Sequence, residues 1–292
     1  MTKLEPIEID PKTFLREHHT LPSLPEVLTR IQSAIHDPNV NIKKIAEFVS
    51  GDPALVGQVL KVVNSAYYGM PRQVSDVLTA IAFLGLNEVY RMTLSLSVVN
   101  TLAIEEKSEL DKFWFHSFFT ALSTKYLAKN YDPQLSYEDL WSAAILHDIG
   151  KLVYLKFFPD HYKALTNFKR EKGCLFSEAE ENLAMVPSAF LGKLLCDHWR
   201  LPDIIRNACE FHTLQDLIDV EHDNFSESSQ RMICLGNIVA VLSTEELSKD
   251  TKHKIADSTA TYLDISSEKE FLSMMGDIYE LRIEVDKFVG QL

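Results

Sequence analysis

Cysteine is the first scarcity. The chain has four, Cys174, Cys196, Cys209 and Cys234, with no CxxC spacing and apolar helical surroundings. Buried free thiols in a reducing cytoplasm are therefore expected. Long apolar runs are missing too: none reaches the ~18 residues that span a bilayer, and no N-terminal run resembles a signal peptide. A cytoplasmic protein with no membrane role is the expectation. Basic residues are in deficit, 29 against 42 acidic for a formal net charge of −13, and no dense Lys/Arg cluster offsets it. A negative field repels phosphate backbones and anionic lipid, which argues against nucleic-acid and membrane-surface binding. Strand-like alternation, low-complexity tracts and fixed-period repeats are absent, as are a Gly-rich phosphate loop and a serine or cysteine nucleophile with its base.

What is present reads as helix after helix, long enough for one large domain or two subdomains. Residues 1–20 carry Pro6 and Pro11 and resemble an arm. Ser23 and Glu26 stand at capping-box spacing ahead of an apolar stripe of Leu24, Leu28, Ile31 and Ile35. Ile42, Ile45 and Phe48 mark a short helix that stops at Gly51. Asp52-Pro53 then pairs an N-cap with proline at the first helical position. The helix it opens ends in an irregular turn, Asn64 to Gly69. Ser75 begins a helix closed by Gly85, and Asn87 begins another. Residues 103–111 form a polar break. The helix beyond, roughly Lys112 to Lys129, has a bulky face (Phe115, Phe118, Phe119, Leu122, Tyr126) and a small, mildly polar one (His116, Ser117, Thr120, Ala121, Thr124). Ser136 and Asp139 box the start of the next helix. Further helices are expected over 160–172, 177–185, 188–199, 203–212, 228–247 and 267–290. Trp114, Trp141 and Trp199 are expected as core anchors, and Glu178, Glu180 and Glu181 as a solvated face.

The central stretch is Leu140 to Phe158, LWSAAILHDIGKLVYLKFF. His147 and Asp148 follow four apolar residues and conflict locally with the core pattern, which is more often functional than accidental. Successive helical residues point about 100° apart, so the two converge on one ligand only near a helix end. A plainer alternative stays open, in which His147 caps helix carbonyls and Asp148 caps the next helix. His116, in turn, reads by default as a hydrogen-bonded core histidine, with a ligand as the alternative.

LPSLPEV (21–27), DPALVGQVLKVVNSAYYG (52–69), AIAFLGLNEVYRMTLS (80–95), LWSAAILHDIGKL (140–152) and FLGKLLCDHWRLPDIIRNACEFH (190–212) together resemble the bacterial HDOD domain, a relative of the HD superfamily of metal-dependent phosphohydrolases. The resemblance implies an all-α, multi-helix bundle: an arm (1–20), a domain over 21–217 with an N-terminal half (21–102) packed with an HD-like half (112–217), and C-terminal helices (218–292) completing the latter. It implies bacterial signal transduction through a partner, either a signalling protein or a small ligand, or through a homodimer.

A working HD enzyme needs a first His, the His–Asp pair and a later Asp around one divalent ion. By that pattern His116 falls at the first position, 31 residues ahead of His147, and His147 and Asp148 match the pair. The last position corresponds to Asn237, whose amide brings no negative charge. Ser188 stands where many family members have His; of a paired-histidine position only His212 is kept, with Thr213 beside it. Lys151 matches a phosphate-approaching lysine. His116, His147 and Asp148 remain sufficient for a single divalent ion (Mn, Fe, Zn, Ni or Mg). The leading expectation is a non-catalytic module; the alternatives are a degenerate phosphohydrolase using Asp148 and Lys151, acting on a phosphate ester or cyclic (di)nucleotide, and a dimerisation unit.

Overall fold

A computed structural model describes residues 24–35, 42–136, 140–218 and 228–290, which are helical and contain no strand. Ser23, Asp139 and the arm lie outside the described residues, so the two capping pairs that include Ser23 and Asp139 do too. None of the described helices is long and apolar enough to cross a membrane. Two compact units divide between Glu105 and Glu106, within the polar break, and residues from Ile283 onward group with the amino-terminal one.

In the amino-terminal unit the helices are α1 (Glu26–Ile35), α2 (Ile42–Ser50), α3 (Pro53–Val63), α4 (Val77–Leu84) and α5 (Leu86–Thr101). Asp52 caps α3 as its sequence predicts, Oδ1 accepting from the N–H groups of Ala54 and Leu55. Asp76 rather than Ser75 caps α4, through the Thr79 N–H. The turn after α3 is held by Asn64, which donates from Nδ2 to the Val74 carbonyl at 2.8 Å and accepts the Val74 N–H at 2.7 Å. Tyr68 donates to the buried Glu88, whose other oxygen takes the Arg91 guanidinium at 2.9 Å. These contacts account for much of the NSAYYG and LNEVYR segments in structural terms.

The second unit runs from α6 (Lys107–Tyr131) through α7 (Trp141–Leu146), α8 (Ile149–Phe157), α9 (Pro159–Lys172), α10 (Phe176–Asn182), α11 (Ser188–Trp199), α12 (Asp203–Glu210), α13 (Leu214–Ile218), α14 (Ser228–Thr244), α15 (Lys249–Tyr262) and α16 (Glu268–Glu280); α17 (Arg282–Val289) follows. Two stretches depart from the expected helices. The first, expected over 228–247, ends at Thr244, and α15 follows it unannounced: its sequence is polar and few of its side chains are buried, although Ser248 caps it through Thr251. The second, expected over 267–290, breaks at Leu281, whose N–H turns back three residues to Ile278.

Backbone proximity fixes the site's frame. A Cβ on Gly236 of α14 would fall 2.0 Å from Thr124 Oγ1 of α6, and one on Gly150 of α8 would fall 1.8 Å from the Ser188 carbonyl oxygen of α11. The small face of α6 is thus the seat for α14, as its composition suggests. Trp114, Trp141 and Trp199 are buried in the unit's core, as are Cys196, Cys209 and Cys234, while Cys174 is half-buried; all four thiols are free.

Candidate functional site

His147 and Asp148 form the turn between α7 and α8, not the interior of one long helix. That break lets two neighbouring side chains meet. The plainer reading is half right. His147 does bond a carbonyl of its own helix, Nδ1 lying 2.7 Å from the Ala144 oxygen, but Asp148 makes no side-chain cap to α8. With Nδ1–H donating to that carbonyl, Nε2 carries the lone pair and faces inward.

Around Asp148 the structure gathers four of the sequence-predicted residues. His116 Nε2 lies 3.2 Å from Oδ2, His147 Nε2 3.4 Å from the same oxygen, and His212 Nε2 3.2 Å from Oδ1. Lys151 bonds Oδ2 at 2.5 Å. The His212 ring repeats the logic of His147, its Nδ1 lying 3.0 Å from the Cys209 carbonyl oxygen and 3.1 Å from that of Ala208. Two imidazoles therefore turn lone pairs toward a carboxylate. His116 Nε2, His147 Nε2 and Asp148 Oδ1 are buried with no hydrogen-bond partner. Facing acceptors repel unless a cation lies among them, and within the protein that cation is the Lys151 ammonium.

Burial governs the charges. It pushes His147 down to about 4, against the smaller opposing pull of Asp148, so the ring is neutral near pH 7. Burial alone would raise the Asp148 carboxyl; Lys151 and then His147 outweigh it and hold the group well below the usual carboxylate range. Lys151 is likewise opposed by burial but held above its ordinary value by Asp148. The pair is ionised at any working pH.

Among the described residues, the one group of three or more potential metal ligands is His116, His147 and Asp148, whose donor atoms lie within 4.8 Å of one another. Asn237 stands one step away: its Nδ2 donates to the His212 carbonyl at 2.8 Å, leaving Oδ1 buried and unpartnered. A small cleft of about 40 Å³, open on one side, adjoins the cluster, and its lining includes Lys151, Ser188, His212, Thr213 and Asn237. Thr213 closes the start of α13, its N–H and hydroxyl both donating to Asp216.

The acidic run at 178–181 is not uniformly solvated, which corrects the expectation for Glu180. That side chain is buried and accepts the Ser188 N–H at 2.7 Å. Burial raises its carboxyl to about 7, with Ser188, Lys151 and His212 pulling the other way. Phe176, Ala179 and Glu180 share one helical face, a signal legible in the sequence. Lys169 and Glu245, paired at 2.6 Å on the rim of the cleft, lie 76 residues apart and leave none.

The family model described as HDOD domain matches residues 21–214. An uncharacterized protein of Treponema pallidum (strain Nichols) is 29% identical over 192 residues, 66% of this chain; the match spans only 37% of that protein's length. Three solved structures share the fold. An HDOD domain protein from Geobacter sulfurreducens has a TM-score of 0.68 at 22% identity, covering 95% of this chain and 96% of its own. A Shewanella amazonensis protein, described as a candidate phosphohydrolase, has a TM-score of 0.69 at 20% identity, covering 96% and 98%. A Marinobacter aquaeolei protein, described as a candidate signal transduction protein, has a TM-score of 0.68 at 17% identity, covering 99% of this chain and 63% of that one.

Proposed function

The chain belongs to the HDOD domain family, and from that premise we propose that it is a signalling module that binds a ligand or partner without hydrolysing it. One observation carries the reading. The cluster's carboxylate, Asp148, already holds the Lys151 ammonium on the oxygen that His116 and His147 face. The position from which a second carboxylate would come is the neutral Asn237, its amide N–H spent on His212. Charge for a reactive divalent centre is therefore short, because one carboxylate must serve both a lysine and an ion.

His116, His147 and Asp148 nevertheless fit a single divalent ion by donor chemistry, with two orphaned imidazole nitrogens and a carboxylate in reach of one another. Imidazole and carboxylate suit Mn, Fe, Zn, Ni or Mg. Such an ion supplies an acidified water and a polarised phosphoryl oxygen. The orphaned nitrogens are the support for a second reading: a metal-dependent phosphohydrolase acting on a phosphate ester or cyclic (di)nucleotide, with Lys151 steadying the phosphate. In the first reading Lys151 neutralises and holds Asp148, and the cleft receives the ligand. The partner is a small molecule, a signalling protein, or a second copy in a homodimer.

Metal analysis of purified protein, followed by a generic phosphodiester assay with added Mn²⁺, separates the two. We expect substoichiometric metal and no turnover above that of Asp148→Ala. Stoichiometric metal with turnover abolished by Asp148→Ala establishes the hydrolase instead. Light scattering tests the homodimer, which a strict monomer at high concentration removes.

A further inference from the structure

Helix α16 is apolar on two opposite sides. The inner side is accounted for: Met274 and Ile278 are buried, and Asp277 accepts the Tyr126 hydroxyl at 2.7 Å, which fixes the helix on α6. Successive residues turn by about 100°, so Leu272, Gly276 and Tyr279 project from the other side. Leu272 is 60% exposed, the highest value among the large hydrophobic side chains described, and Tyr279 is 49% exposed. A surface helix ordinarily keeps its outer side polar, and one that is apolar all round is covered all round.

The outer side also has a self-matching relief. A Cβ on Gly276 would meet nothing within 4 Å, so a hollow lies one turn beyond the Leu272 side chain. A second copy laid antiparallel seats each Leu272 over the Gly276 of the other. Charge agrees with this arrangement. Lys269 and Glu280 flank the same edge of the face at opposite ends of the helix; both are exposed, and neither pairs with another charge among the described residues. When two copies of one face meet end for end, each edge meets its own counterpart reversed. Lys269 of one copy then stands beside Glu280 of the other, and symmetry repeats the contact. A parallel pair would set Lys269 against the opposite edge and make neither contact. We propose that the outer face of α16 is the seam of a homodimer, two copies of the chain packing antiparallel through Leu272, Gly276 and Tyr279. This gives a surface to the homodimer that the binding reading above includes. The helix is about 20 Å long. One such pair buries less than the ~1,200 Å² of a stable dimer, so the association is weak, with a dissociation constant on the order of 100 µM.

The test is sedimentation equilibrium of the full chain from about 10 µM to about 1 mM, at an ionic strength that screens the net charge of −13. A monomer–dimer equilibrium is expected. Leu272→Glu, at an exposed position, is expected to leave the fold intact and to weaken the dimer roughly tenfold or more. Lys269→Glu or Glu280→Lys alone sets like charges together at two symmetric contacts and should weaken it roughly threefold. The two reversals combined should restore it, which neither a purely apolar contact nor a parallel pair would do. A chain that stays monomeric at about 1 mM overturns the proposal. A dimer indifferent to Leu272→Glu overturns this surface and leaves a homodimer by another face. A dimer that Leu272→Glu weakens but the single charge reversals do not overturns the antiparallel arrangement. Phosphodiester turnover, which overturns the non-hydrolysing reading, changes none of these outcomes.

Discussion

The two units treat their buried polar groups in opposite ways. Every buried side-chain nitrogen or oxygen without a hydrogen-bond partner, among the described residues, belongs to the second unit. In the amino-terminal unit the corresponding groups are matched: Glu88 to Tyr68 and Arg91, Thr93 to the Val89 carbonyl, Ser95 to that of Arg91. An unmatched buried group costs free energy. Some of the unmatched groups of the second unit, His116, His147 and Asp148, belong to the cluster, while others such as Ser117, Thr120 and Thr124 lie along the helix α6. Stability in the first unit rests partly on polar pairing, and in the second on close backbone approach.

That contrast can be broken by substitution. Gly150→Ala should have the largest effect, because the added carbon meets backbone at 1.8 Å. A loss above about 3 kcal/mol, or no folded protein, is expected in denaturant titration; a wild-type midpoint would show that α8 and α11 have room to part. Next comes Glu88→Ala, which removes the acceptor of the Tyr68 hydroxyl and a carboxylate paired with Arg91 and should cost about 3 kcal/mol. A neutral result would mean that polar pairing does not hold the amino-terminal unit.

The pH dependence sharpens the contrast within the second unit. His147 lies at about 4 against an ordinary 6.5, so the unfolded chain takes the proton first and stability is lost as pH falls from 6.5 toward 4. Glu180 lies at about 7 against 4.5, so the unfolded chain releases its proton first and stability is lost as pH rises from 4.5 toward 7. Each contributes about 3 kcal/mol, and the slopes oppose one another where the windows overlap. Chelator-treated Glu180→Gln should lose stability toward acid through that overlap, and His147→Gln toward neutrality. Parallel profiles would contradict the burial of both groups. The smallest effect is the most pointed. Thr93→Val, which loses a bond to the Val89 carbonyl, should cost about 1 kcal/mol. Thr120→Val removes a buried hydroxyl that bonds nothing and should be neutral or slightly stabilising. Equal costs would erase the distinction between the units.

The all-α architecture was legible because helical period, caps and breakers coincide: Asp52-Pro53 and the turn from Asn64 to Gly69 stand where the residues place them. The expectation that His147 and Asp148 stand near a helix end was legible too, since the chain breaks there. Less was legible where the signal is spatial. Nothing in the sequence pairs Lys169 with Glu245, or shows that Lys151 folds back onto Asp148 rather than toward solvent. Glu180 was misread because acidic residues usually face water, and its apolar companions Phe176 and Ala179 were not weighed. Helix α15 was missed because it hides few of its residues.

The shortage of negative charge at the His116–His147–Asp148 cluster is the central claim, and Mn²⁺ titration by calorimetry, comparing the chelator-stripped protein with Asn237→Asp, tests it most directly. The account predicts that the added carboxylate raises Mn²⁺ affinity by tenfold or more over a weakly binding parent, at roughly the strength of one charge-assisted contact. A parent that binds Mn²⁺ as tightly as Asn237→Asp would contradict it.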